Sequence, residues 1–133
     1  MDGLNIFAGY SEIEQATGVG DREQEAYGAT YAIGGITVGY QHSKDDNPGV
    51  TAEYYENTAY GVSFAVNDNL TVSYGVHESD RNTTSVTAEA ESIQASYTVG
   101  GASVKIAETS VSDGKYNTAN AQDATTVALT LAF

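Results

Sequence analysis

Apolar and polar residues alternate with period two along most of the chain, the pattern of strands that turn one apolar face to a common environment. The first stretch places Leu4, Ile6, Ala8 and Tyr10 on that face. The second and third give Tyr27, Ala29, Tyr31 and Ile33, then Ile36, Val38 and Tyr40. Tyr60, Val62, Phe64 and Val66 form the fourth, and Leu70, Val72, Tyr74 and Val76 the fifth. The sixth and seventh give Ile93, Ala95, Tyr97 and Val99, then Ala102, Val104 and Ile106. Val127, Leu129, Leu131 and Phe133 make the eighth. The intervening positions are small and weakly polar, as in Ala26, Gly28, Thr30 and Ala32 or Ala59, Gly61, Ser63 and Ala65.

A hairpin unit repeats. The heptad beginning at Tyr27 recurs at Tyr60 and again at Ile93, a spacing of 33 residues (60 − 27 and 93 − 60). Helical or leucine-ladder solenoids share this period, but neither helices nor leucine ladders are present, so a repeated hairpin is the simpler reading. Connections alternate in length. Gly34-Gly35, Asn67-Asp68-Asn69 and Gly100-Gly101 are tight and accept positive φ. The others are predicted as long loops over 11–24, 43–57, 78–91 and 110–122.

The fold class predicted is all-β: an antiparallel transmembrane β-barrel, eight strands in this chain, with short periplasmic turns and long extracellular loops, and 1–133 as one domain. A soluble β-sandwich alternates too, with its apolar side as core. Two features favour the barrel. The polar side is built from Gly, Ala, Ser and Thr rather than the Lys and Glu of a wet sandwich face. The apolar-face aromatics also fall into two girdles: Tyr31, Phe64, Tyr97 and Phe133 near the tight turns, and Tyr10, Tyr27, Tyr40, Tyr60 and Tyr74 toward the loops.

Composition narrows the partners. A formal net charge of −13, with five Lys and Arg, argues against nucleic acid. No cysteine is present, which removes disulfides and thiol chemistry. No apolar run approaches the ~20 residues of a membrane helix, whereas a barrel strand needs only ~9–11 alternating ones. Of the 18 acidic residues, only Asp2 and Asp68 fall at the tight-turn end. The residues Met1-Asp2-Gly3-Leu4 lack a signal-peptide pattern, so a mature chain or a segment of a longer protein is expected.

Chemistry-bearing residues are sparse. His42 and His77 belong to different strands and do not make the three or four convergent ligands zinc requires. His77 with Glu78 and Asp80 is a loose cluster, not an acid–serine–histidine site, and no enzyme is predicted. The acidic turns at 44–49 and 112–117 lack EF-hand spacing; no metal site or cofactor is predicted, though divalent cations could link such carboxylates to lipopolysaccharide phosphates. Strand parity predicts Asn5, Gln41, Gln94, Ser96, Ser103 and Lys105 as lumen-lining residues, either tuning permeation or hydrogen-bonding one another as barrel filling.

The hairpin from Tyr60 to Gly75 and the ending from Val127 to Phe133 resemble the bacterial outer-membrane porins, closest to the alphaproteobacterial general porins. The resemblance implies passive diffusion of small hydrophilic solutes and ions across a Gram-negative outer membrane, with lipid and lipopolysaccharide as neighbours. It implies that the terminal Phe133 is an assembly signal read by the outer-membrane insertion machinery. Such porins are sixteen-stranded trimers, so the chain corresponds to a C-terminal half or a small barrel. The family's constricting loop would fall outside it. Three readings stand here: a porin-like channel, a closed barrel acting structurally or adhesively through its acidic loops, and a soluble β-domain. A homo-oligomer that supplies the missing strands is compatible with the first.

Overall fold

The computed structural model describes residues 3–49 and 53–132. The strands are β1 (Leu4–Ile13), β2 (Arg22–Ile33), β3 (Ile36–Asn47), β4 (Glu53–Ala65), β5 (Leu70–Arg81), β6 (Ala88–Val99), β7 (Ala102–Ser112) and β8 (Gln122–Leu131). They form one sheet in sequence order, each antiparallel to the next. The only helical piece among the described residues is a 3-10 turn at Gly114–Tyr116.

The tight turns form as the sequence predicts. Ile33 pairs with Ile36 and Val99 with Ala102, so each hairpin closes over two residues. Gly34 and Gly100 take φ of 57° there, a conformation that costs other residues more. The third turn is held by Asn67, whose side-chain oxygen accepts from the backbone N–H groups of Asn69 and Leu70 at 2.9 and 3.0 Å.

The long connections are shorter than expected. Most of the acidic segments assigned to loops continue as strand, leaving gaps only between Ile13 and Arg22, Asn47 and Glu53, Arg81 and Ala88, and Ser112 and Gln122. Cross-strand partners extend the ladder here: Arg22 reaches Asp45, and Arg81 lies 3.5 Å from Glu53. A charged residue reads as loop in isolation, but beside a partner on the next strand it stays extended.

The single-chain barrel is not completed. β1 pairs only with β2 and β8 only with β7, and every described residue of both edge strands is exposed. Their outward N–H and C=O groups have no ladder partner, so the sheet stays open at eight strands.

Directly paired residues share a face. One row runs Leu4, Tyr31, Val38, Val62, Tyr74, Ile93, and places the apolar side chains of β1 to β6 together. Almost nothing covers them. Val76, 5% exposed, is the one buried hydrophobic residue described, whereas Ile6 is 70%, Val127 69% and Leu129 64% exposed. The sheet therefore has no core of its own. On the opposite face lies an open hollow of about 570 Å³, lined from Phe7 in β1 to Thr109 in β7, so the sheet curls around its small-residue side. Phe7 lies over the buried Gly28, where a Cβ would come within 2.5 Å of the ring.

Candidate functional site

The hollow has the shape of a site, and small residues create it. Gly39, Gly61 and Gly75 face it from three adjacent strands, with Thr30, Ser63 and Ser73 beside them. Gln41, Ala59 and His77 stand on the next level, toward the loops. Glycine leaves room that any side chain would fill, and hydroxyls offer hydrogen bonds to water.

Above the hollow, at the loop end, two polar clusters face the same side. In the first, Arg22 holds Asp45 through two nitrogens, with Nε to Oδ1 at 2.8 Å, and Gln24 donates to the same carboxylate at 3.2 Å. The Arg22 hydrogen bonds hold the Asp45 carboxyl below the usual carboxylate range, against the opposing effect of partial burial. These two groups lie beyond the apolar band. In the second cluster, Ser79 donates to Asn57 at 2.7 Å and shares a 2.8 Å hydrogen bond with the Tyr116 hydroxyl. The Tyr116 ring lies 6.1 Å from that of Tyr55 and under the Arg81 guanidinium at 4.8 Å. The β7–β8 connection thus folds back over the rim of the hollow. Left-handed Asp113, Lys115 and Tyr116 make that turn possible.

The depressed Asp45 pKa has a testable sign. A lowered folded-state value stabilises the fold above the unfolded pKa, and that contribution disappears as pH falls through the folded one. Replacing Arg22 by alanine is expected to lower stability slightly at neutral pH, as for an exposed pair screened by solvent, and to flatten this acid-side loss. Chemical denaturation at several pH values from neutral into the acid range measures both.

The six lumen candidates all occupy the small-residue face by register. Asn5 is opposite Thr30, Gln41 lies between Gly28 and Ala59, and Gln94 between Ser73 and Ala107. Ser96 pairs with Thr71 and Lys105, and Ser103 accepts from Thr98 at 2.9 Å. Only Gln41 lines the hollow itself. Parity also places Phe7, in the middle of β1, on this face, whereas Arg22, Asp45, Tyr55, Asn57, Ser79 and Arg81 sit in charged strand ends that read as loop in the sequence. Tyr116 had no sequence signal.

The two histidines stand on opposite faces. His42 stacks beside Tyr27 at 5.2 Å and meets Thr58 Oγ1 at 3.2 Å on the apolar side, while His77 faces the hollow. Glu78 and Asp80 lie on the apolar side, away from His77. Among the described residues no three His, Cys, Asp or Glu gather as a metal set.

The register also sorts charge. On the apolar side, above the hydrophobic band, carboxylates stand directly opposite one another: Glu12 and Glu23, Glu23 and Asp46, Glu56 and Asp80, Glu78 and Glu89. Like charges so placed are mutually destabilising. Loop-side tyrosines border this belt, with Tyr74 donating to Glu91 at 2.6 Å and Tyr10 to Glu12 at 3.3 Å. Every described aromatic of the two predicted girdles, from Tyr10, Tyr27, Tyr40, Tyr60 and Tyr74 to Tyr31, Phe64 and Tyr97, is on the apolar face. Phe133 lies outside the described residues. The hollow's face instead carries Arg22, Arg81 and Lys105 against Asp45 and Glu53. A chain of net charge −13 thus presents a near-balanced inner face.

Comparison with known proteins returned no matching family model, no matching curated protein and no matching solved structure.

Proposed function

We propose that this chain forms wall strands of a porin-type barrel in a Gram-negative outer membrane, through which small hydrophilic solutes and ions diffuse passively. One observation carries the reading: apart from Phe7 and Ile13, the exposed large apolar side chains of the strands line one face of the sheet, with almost none of them buried. Water is a poor solvent for such a face, and contiguous exposed apolar surface marks a membrane or partner contact. Lipid acyl chains supply the missing cover. The ladder satisfies backbone groups within the membrane, where unpaired ones are costly. Tyrosines beside the carboxylate belt suit the headgroup level, and the belt would meet lipopolysaccharide and its cations. The hollow's small hydroxylated lining keeps a wet path. Solutes are selected by its width and by the charges above it, and no bond is made or broken.

Conductance tests this. Refolded protein in a planar bilayer is expected to give stable current steps; inserted but electrically silent protein would sink the channel reading. Lys105 faces the lumen side between Ser96 and Ala128 and makes no ion pair among the described residues. Lys105→Glu is expected to shift the reversal potential in a salt gradient toward cation preference. Glu23→Gln, on the other face, should leave it in place.

A further inference from the structure

The two open edges are complementary to each other, and the repeat says how. β2, β4, β6 and β8 are versions of one strand: Tyr27, Tyr60, Ile93 and Val127 hold the same place in it. β1, β3, β5 and β7 are versions of the other, with Leu4, Ile36, Leu70 and Ala102 equivalent. The backbone agrees. Gly3, Gly35, Asn69 and Gly101 each accept a hydrogen bond from the strand on the far side: from Ala32, Ala65, Thr98 and Ala132. Among the described residues, β1 is therefore an odd strand whose free edge is the kind that an even strand covers in β3, β5 and β7, and β8 is an even strand whose free edge is the kind that an odd strand covers in β2, β4 and β6.

The hydrogen-bonding groups match too. The bond from Ala32 to Gly3 turns the groups of Leu4, Ile6 and Ala8 to the free edge of β1. The bond from Ala132 to Gly101 does the same for Leu129 and Leu131 of β8. In all three tight hairpins the apolar-face residues likewise face each other across the junction. Transferring the pairings Tyr31 with Val38, Phe64 with Val72 and Tyr97 with Val104 gives one answer each time: Leu131 opposite Ile6, Leu129 opposite Ala8 and Val127 opposite Tyr10. Neither edge carries lysine, proline or a bulge to discourage pairing.

We infer that β8 of one copy pairs with β1 of a second in this register, and that two copies close a cylinder of twice eight strands. An even strand count makes both junctions antiparallel and puts all tight turns at one end. A second copy, rather than the chain's own β1, is the occupant because the curl around the hollow leaves the two edges unpaired at eight strands. An eight-stranded closure would leave space only for side chains, and this inner face is lined largely with Gly, Ala, Ser and Thr. The inference rests on the barrel reading and completes its pore.

Disulfide trapping tests it in a chain without native cysteine. The register puts Gly9 opposite Ala128 as a non-hydrogen-bonded pair, close enough for a disulfide. A Cβ at Gly9 meets nothing within 4 Å. Equimolar Gly9→Cys and Ala128→Cys chains, refolded together in detergent and oxidised, are expected to give a reducible band at twice the 13.9 kDa chain mass. Ser11→Cys with Ala128→Cys, two residues out of register, should give roughly a tenth as much or less, the disulfide geometry being strict. Ser11→Cys with Thr126→Cys is a second in-register pair, should the first fail to fold. In a single chain that carries both Gly9→Cys and Ala128→Cys, an internal disulfide at monomer mass would overturn the inference in favour of self-closure. Equal trapping out of register, or none in either β-rich sample, would overturn it as well. Detergent insertion and circular dichroism on the same sample report separately on the barrel reading.

Discussion

Replacing Val62 by arginine is expected to lower the stability of the folded chain in a phospholipid bilayer by about 2–4 kcal/mol. Val62 stands in the middle of the apolar band, between Val38 and Tyr74, and is 42% exposed. In water such a position tolerates arginine within about 0.5 kcal/mol, since nothing there is packed. Against acyl chains the guanidinium must be desolvated or drag water and headgroups inward. The folded-to-unfolded ratio would fall roughly thirty- to a thousand-fold, at tenfold per 1.4 kcal/mol. Denaturant unfolding in vesicles measures it. Ser63→Arg is the control: one residue along, it points to the hollow, so its expected effect is a smaller current rather than a lost fold. Equal and small effects of both changes on stability would mean that Val62 does not meet lipid.

The second large effect is expected at Gly28. It is buried beneath Phe7, and a Cβ there would lie 2.5 Å from Phe7 Cζ and 2.5 Å from the Tyr40 carbonyl oxygen. The ring can swing aside; the carbonyl belongs to β3 and cannot. Gly28→Val is therefore expected to cost about 1–3 kcal/mol, the usual range for overpacking. Gly75 provides the contrast. Its added Cβ would be 3.7 Å from the Tyr60 oxygen, an ordinary contact. Gly75→Ala should be neutral or stabilise by about 0.4–1 kcal/mol through the unfolded chain. Parallel thermal or denaturant curves separate the two, and equal costs would remove the close-approach account of Gly28.

Strand order and facing were legible because both depend on local chemistry. Tyr27 to Ile33 alternates, Gly34-Gly35 must turn, and parity then fixes the face of every residue between turns. Strand length was less legible. Glu23, Asp45 and Arg81 read as loop residues singly, and only the partner strand reveals that they continue the ladder. Closure was not legible at all, because it is set by curl and register summed over eight strands. The site shows the same division. Parity put Gln41 and Lys105 on the right side, yet the hollow's position toward the loop half depends on which glycines align across β3, β4 and β5. Tyr116 reaches Ser79 only through three left-handed residues that no periodicity announces.

Lipid solvation of the uncovered apolar face is tested by flotation: the chain is refolded with phospholipid vesicles, washed at high pH and centrifuged through a density gradient. β-rich protein is expected to rise with the vesicles and to stay with them through the wash. Folded, monodisperse protein left in the aqueous layer without detergent would contradict it, because the face would then have found its cover in water.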